Sequence, residues 1–289
     1  MLFSKPISIM KNIFFIIIPI CIYCTSNAQV KRFIYEYITV PDSTDIANKE
    51  INIMYLDITQ KGSGFFDGQK YISDSTLVSM AKKNQFIMPP RDSRFIDYRI
   101  IKEHPSYKLT FLVSTYNKRL SVTDLRKQIW HIEKITDKYK GFNVQKAITD
   151  FAGRRWIAWF TADIPIPDGP YKFYGLPGLI LKLEDTTGSH KFNLTGIKNN
   201  IPDYNNYPIV NTRSPQIEIS QEKYIEIYKE YRRDPAKDYR IEVMKGNIFD
   251  SLDDNGNIKT PQQKLRDHEI LLKNKLKKDN NIIELDLLK

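Results

Sequence analysis

The segment from Ile164 to Gly178 constrains the fold more than any other, because four prolines and three glycines fall within fifteen residues. Pro165, Pro167, Pro170 and Pro177 each fix one backbone dihedral and remove a donor, so the segment can enter neither a helix nor a central strand. Gly169, Gly175 and Gly178 supply backbone angles that other residues resist. Apolar sequence lies on both sides. Arg155-Trp156-Ile157-Ala158-Trp159-Phe160-Thr161-Ala162 reads as a near-continuous buried strand. Leu179 to Glu184 alternates, with Leu179, Leu181 and Leu183 expected on one face. Asp185 to Ser189 is a turn, and His190 to Ile197 a return strand with Phe192 and Leu194 inward. The chain must therefore cross between two buried strands through a stiff corner.

The rest of the sequence is consistent with a β-rich architecture. Strands are expected at Arg32–Val40, Ile51–Ile58, from Phe65-Phe66, Tyr98–Lys102, Lys108–Tyr116 and Gln128–Thr136, where aromatic and β-branched residues dominate. Asp74-Ser75-Thr76 is placed to cap a short helix through Lys83, and a weaker helix is read from Val144 to Asp150. After Pro202 the pattern becomes helical. Ser220 caps a helix carrying Tyr224, Ile225, Tyr228 and Tyr231, which Asp234-Pro235 ends. Pro261–Lys278 is a second, with Leu265, Leu272 and Leu276 as its stripe, and Ile282–Asp286 is a short strand or a tail. The expected fold class is α+β and β-rich. It comprises a curved, mostly antiparallel sheet, partly open and barrel-like, with a few packed helices that are mainly C-terminal from about residue 215.

The N-terminus reads as an export signal. Lys11 precedes an apolar run from Ile13 to Tyr23, and Thr25-Ser26-Asn27-Ala28 offers small and polar residues before Gln29. The run is about half of the ~20 residues that a spanning helix needs. Residues 1–28 are therefore read as cleaved, leaving 29–289 as a single domain. Met10 is an alternative start. Cys24 raises a lipoprotein signal as another option, against which the bulky Tyr23 speaks. Cys21 and Cys24 are the two cysteines, and both fall inside the leader, so their C-x-x-C spacing is read as neither redox nor zinc chemistry. The remaining chain must then be stabilised by its core.

Charge narrows the partners. Lys5 and Lys11 leave with the leader, so 42 basic residues face 34 acidic ones, a surplus of eight. Both signs are well mixed, with one dense basic run at Lys273–Lys278, so no nucleic-acid partner is expected. Anionic headgroups or an acidic partner suit such a chain. The basic helix either lies on a membrane or docks its leucine stripe onto its own domain.

Gly175-Leu176-Pro177-Gly178-Leu179-Ile180 spells the hexapeptide that gives the GLPGLI family its name. Gly153-Arg154, Ala158-Trp159-Phe160-Thr161, Ile164-Pro165, Gly169-Pro170 and Phe173 extend the match, so that residues 150–200 resemble that family of exported Bacteroidota proteins. The resemblance implies a periplasmic or outer-membrane location. It carries no catalytic residues, because the family has no established activity. By looser analogy it also implies a sheet like those of periplasmic lipoprotein carriers.

Two functional readings follow. The first is a non-catalytic envelope protein that binds a lipid, a peptide or an outer-membrane transport partner. Its candidate ledge is Gly175, Leu176, Pro177 and Gly178, beside a pocket walled by Trp156, Trp159, Tyr171 and Phe173. The alternative use of the same residues is a structural corner that sets sheet curvature. The second is a hydrolase with Asp163 and Asp168 as paired carboxylates. No cofactor and no metal is expected. His104, His131, His190 and His268 show no helical pairing. Asp253-Asp254-Asn255-Gly256-Asn257 resembles the start of a calcium loop, but Lys264 occupies the position where a glutamate is needed. Asp42-Ser43-Thr44, Asp74-Ser75-Thr76, Asp185-Thr186-Thr187 and Asp250-Ser251-Leu252 resemble acceptor sequences for bacterial O-glycosylation.

Overall fold

The computed structural model describes residues 30–85, 95–114, 119–201, 216–253 and 255–289. The leader reading, both cysteines, Pro89-Pro90 and Pro202 lie outside them.

Among the described residues, twelve strands form one sheet. In chain order these are β1 (Lys31–Thr39), β2 (Glu50–Ile58), β3 (Gly62–Asp67), β4 (Tyr98–Glu103), β5 (Lys108–Ser114), β6 (Arg119–Asp124), β7 (His131–Tyr139), β8 (Phe142–Phe151), β9 (Arg154–Thr161), β10 (Leu179–Asp185), β11 (His190–Asn199) and β12 (Gln216–Ser220). Their spatial order is β12-β6-β5-β4-β3-β2-β1-β11-β10-β9-β8-β7. All pairs are antiparallel except β12 with β6. β12 and β7 end the order without meeting, so the sheet is open rather than a closed barrel.

One face is the core. Phe33, Tyr35 and Tyr37 of β1 point into it, as do Met54, Leu56, Phe65, Ile100 and Phe192. Each such side chain contributes roughly 1.5–3 kcal/mol by leaving water. On the opposite face helix α1 (Gly68–Lys82) covers β2 and β3. There Arg32 forms a buried bidentate pair with Asp57 at 2.7 Å and lies 4.2 Å over the Tyr55 ring. Helices α2 (Gln221–Arg233), α3 (Lys237–Met244) and α4 (Pro261–Lys277) follow. A two-stranded hairpin, β13 (Ser251–Leu252) with β14 (Ile258–Lys259), separates α3 from α4.

Several sequence expectations need correction. Val144–Asp150 is not helical but the middle of β8, paired on both sides by β7 and β9. Val144, Ala147 and Phe151 gain burial there, and cross-strand pairing overrides the helix preference of Gln145, Lys146 and Ala147. Helix α1 begins earlier than expected. Asp67 is its cap, accepting from Lys70 N at 2.8 Å, while Asp74 lies mid-helix beside Lys70. β9 is buried on one face only, since Arg155 is exposed and Ile157 and Trp159 are half-buried. In β10 a bulge at Leu181 breaks the alternation. Leu179, Leu181 and Leu183 are all buried, yet Ile180 is the residue that shares Leu183's face, through Phe160 and Ala158 opposite. Residues 285–288 form a 3-10 turn rather than a strand.

The Ser220 cap is present, accepting from Lys223 N. α4 carries a capping box between Thr260 and Gln263. Its Leu276 is buried and Leu265 and Leu272 are half-buried, so the stripe faces the protein.

Candidate functional site

The crossing from Ala162 to Gly178 folds onto the core face of the sheet. Its backbone closes on itself: Gly175 N donates to Pro167 O at 3.0 Å, Leu179 N to Ile164 O at 3.0 Å and Ile180 N to Asp168 O at 3.0 Å. Gly178 has φ +153°, and a Cβ there would sit 2.0 Å from Thr161 O, so the corner requires glycine. Gly175 has φ +94° but open space around it.

The predicted site residues separate into two groups. Trp156, Tyr171, Phe173 and Leu176 are buried together. Phe173 lies 4.9 Å from Trp156, 5.4 Å from Phe151 and 6.1 Å from Trp130, ring centre to ring centre. Trp159 is three residues from Trp156 on one strand and so projects to the opposite face. It therefore does not wall a common pocket with Trp156. Gly175 and Pro177 are exposed. The aromatic residues fill the interior, and the outer edge of the crossing, with Pro165 and Pro167, faces solvent. A cleft elsewhere, lined by Lys70, Tyr98, Arg99, Leu112, Arg119 and Gln216, contains none of the motif residues.

Three buried charge clusters hold this arrangement. Sequence reading missed all of them, because each joins residues far apart along the chain. In the first, Lys102 of β4 reaches the crossing. Its ammonium pairs with Asp168 and donates to Gly169 O at 2.8 Å and Phe173 O at 3.0 Å. Burial opposes ionisation of Asp168, but Lys102 outweighs it and holds the carboxyl below its ordinary range. His104 Nε2 stands 3.6 Å from Asp168 Oδ2, too far for a hydrogen bond. Ser63 Oγ, opposite Lys102 in the ladder, is buried and unpartnered. Tyr107 and Tyr174 stack in parallel 4.8 Å apart beside His104.

The second cluster ties the crossing to the C-terminal tail. Lys172 Nζ lies 2.5 Å from Glu284 Oε1 and 2.9 Å from Asp124 Oδ2. Arg126 contacts Asp124, Glu284 and Asp286 at 2.7, 2.6 and 3.0 Å. Tyr171 donates to Glu284 Oε1 at 2.6 Å. Burial works against the charged form of Asp124, yet Arg126 and Lys172 bring its pKa down to about 2.

The third cluster joins strands to the same tail. Arg154 Nη1 lies 2.8 Å from Asp185 Oδ2, and its Nη2 donates to Asn281 and Ile282. His190 is buried here. Its Nε2 meets Asn281 O at 2.8 Å, which fixes the proton on that nitrogen, so Nδ1 accepts from Tyr37 Oη at 2.7 Å. Burial first, and Arg154 second, lower the His190 pKa to about 4.

The proposed carboxylate pair is not assembled. Asp163 is exposed and accepts from Asn143 N, whereas Asp168 is fully buried against Lys102. His131 is exposed and His268 packs 4.6 Å from Tyr239. Among the described residues no group of three His, Cys, Asp or Glu is arranged to hold a metal. The Asp253 carboxylate caps its own turn, accepting from Asn255 N and Asn257 N. Within the acceptor-like sequences, the Ser43, Thr44, Thr76 and Thr187 hydroxyls are hydrogen-bonded to other groups of the chain, mostly at the surface. No helix among the described residues is long and apolar enough to cross a membrane.

A family model described as "Protein of unknown function (Porph_ging)" matches residues 99–182, from β4 into β10. That stretch contains Lys102, Asp168 and the whole crossing. No curated protein matches the chain. Among solved structures, the chain is similar to PNGF-II in two crystal forms, at 18% identity and a TM-score of 0.47. The match covers 69% of this chain and 32% of the PNGF-II chain, so the protein spans about a third of that length. An uncharacterised conserved protein from Thermus thermophilus is similar at 5% identity and a TM-score of 0.36, over 66% of this chain and 91% of the other.

Proposed function

We propose that the chain is an exported accessory or binding protein of the cell envelope, of the GLPGLI type. In this reading the plugged sheet is a scaffold for contacts made at its surface. The supporting observation is the locking of the crossing. Lys102, Lys172 and Arg154 are buried cations, and each holds a carboxylate from a distant part of the chain. The interior groups thus serve to fix the crossing and the tail in place. A protein built this way meets an apolar ligand, a peptide or an outer-membrane transport partner through what it leaves outside. The rim of the crossing offers Pro165, Pro167, Gly175 and Pro177, with half-buried Tyr107 and Tyr174 nearby. The basic start, apolar run and small-residue site before Gln29 support export.

Fractionation of the native cells with N-terminal sequencing tests this reading. The expected result is a chain beginning at Gln29 in the envelope fraction. A chain retaining residues 1–28 in the cytosol overturns it.

One observation favours hydrolysis as a second reading: His104 Nε2 stands 3.6 Å from Asp168 Oδ2 under the stacked tyrosines. A group at this distance from a buried carboxylate closes to a hydrogen bond when a substrate orders the site. A His104→Gln variant that keeps full activity in a hydrolase screen removes this reading.

A further inference from the structure

The segment joining β6 to β7 is an extended strap with two unlike rows of side chains. Arg126, Gln128 and Trp130 turn inward, and Leu125, Lys127, Ile129 and His131 are exposed. The inner row is held at its two ends. Arg126 is bound by three carboxylates, and Trp130 Nε1 donates to Tyr174 O at 2.8 Å. Thr149 Oγ1 donates to Ile129 O at 2.9 Å. With the inner row fixed, the outer row cannot turn in to bury itself. Leu125 is 78% exposed and Ile129 87% exposed, so both project almost fully from the surface. In extended chain they stand roughly 13 Å apart, with Lys127 between them.

The exposed charge next to the strap is mainly basic. Lys127 in the strap and Lys134 just beyond it are exposed, while Lys138, near the far end of β7, and Lys140, just past it, lie beside exposed Asp137. Glu133 is tied to Lys146 at 3.1 Å, and Arg126 is neutralised inside. We propose that this strap is a peripheral anchor for an anionic phospholipid surface. Leu125 and Ile129 enter the acyl boundary, while Lys127 and Lys134 stay at phosphate level. Two projecting aliphatic residues flanking a lysine suit a medium that deforms around them, as a bilayer interface does. The proposal deepens the envelope reading and rests on it for its setting, but binding to vesicles is independent of export.

The test is co-sedimentation of the purified chain with phosphatidylcholine vesicles, with and without phosphatidylglycerol. Binding is expected only with phosphatidylglycerol, falling as salt rises. The Leu125→Ser/Ile129→Ser double variant should bind about tenfold or more weakly at an unchanged thermal midpoint. A Lys273→Gln/Lys275→Gln/Lys277→Gln variant of α4 should bind as the parent does. Absence of phosphatidylglycerol-dependent binding overturns the anchor, as does undiminished binding of the strap variant. Loss in the α4 variant alone also overturns it, by assigning the contact to that helix. Because the vesicles report only the lipid contact, a failure here leaves the result of N-terminal sequencing to decide export separately.

Discussion

Lys172 in the crossing and Glu284 in the C-terminal tail meet at 2.5 Å with both side chains buried. The tail is therefore part of the core rather than an appendage. Glu284→Gln leaves Lys172 and Arg126 with less counter-charge in a dry site. We expect a loss of about 3 kcal/mol, measured by urea unfolding, because breaking a buried pair on one side strands the other charge. Asp124 remains beside both cations, which places the value at the low end of that range.

Lys102 and Asp168 give a similar test on the crossing itself. Lys102→Met alone leaves Asp168 buried with no cation and is expected to cost about 3–5 kcal/mol. The Lys102→Met/Asp168→Asn double variant should recover part of that loss. A double-mutant cycle by chemical denaturation reads the difference, and strict additivity would contradict the pairing.

The two glycines of the motif should respond differently. Gly178→Ala places a Cβ 2.0 Å from a backbone oxygen that cannot swing aside, and about 3 kcal/mol or more should be lost. Gly175→Ala meets nothing within 4 Å and suffers only its left-handed backbone, about 1–2 kcal/mol. Thermal midpoints of the two variants give the comparison directly.

His190 predicts an acid limb in stability. Its pKa falls from 6.5 in the unfolded chain to about 4 when folded, so the unfolded state binds the extra proton first. The contribution is complete above pH 6.5 and is lost as pH drops toward 4, by on the order of 3 kcal/mol. In His190→Gln the slope of stability against pH across that window should flatten. An unchanged slope would locate the acid sensitivity elsewhere.

What the sequence made legible follows from what is local. Proline and glycine chemistry marked the corner before Leu179, and aromatic and β-branched composition marked β1 and β2, because both depend on neighbours in the chain. The cap at Ser220 was readable for the same reason. Val144–Asp150 misled because its composition suits a helix, while its state is set by strands β7 and β9 on either side. The bulge at Leu181 changed which residue shares Leu183's face, and nothing in the run Leu179–Glu184 announces a bulge. The clusters around Lys102, Lys172 and Arg154 lay beyond reach. Each is a meeting of residues separated by tens to more than a hundred positions, and lysine or aspartate alone looks like ordinary surface.

Strand β1 pairs with β2 on one side and with β11 on the other. One flank of β1 finds its neighbour within a few dozen residues, while the other must wait until residues 190–199 have been made. A chain emerging from the ribosome therefore carries an unzipped, aromatic-rich ribbon through most of its synthesis. Folding should be slow and late, governed by that distant closure, and the nascent protein should depend on a holding chaperone throughout the interval.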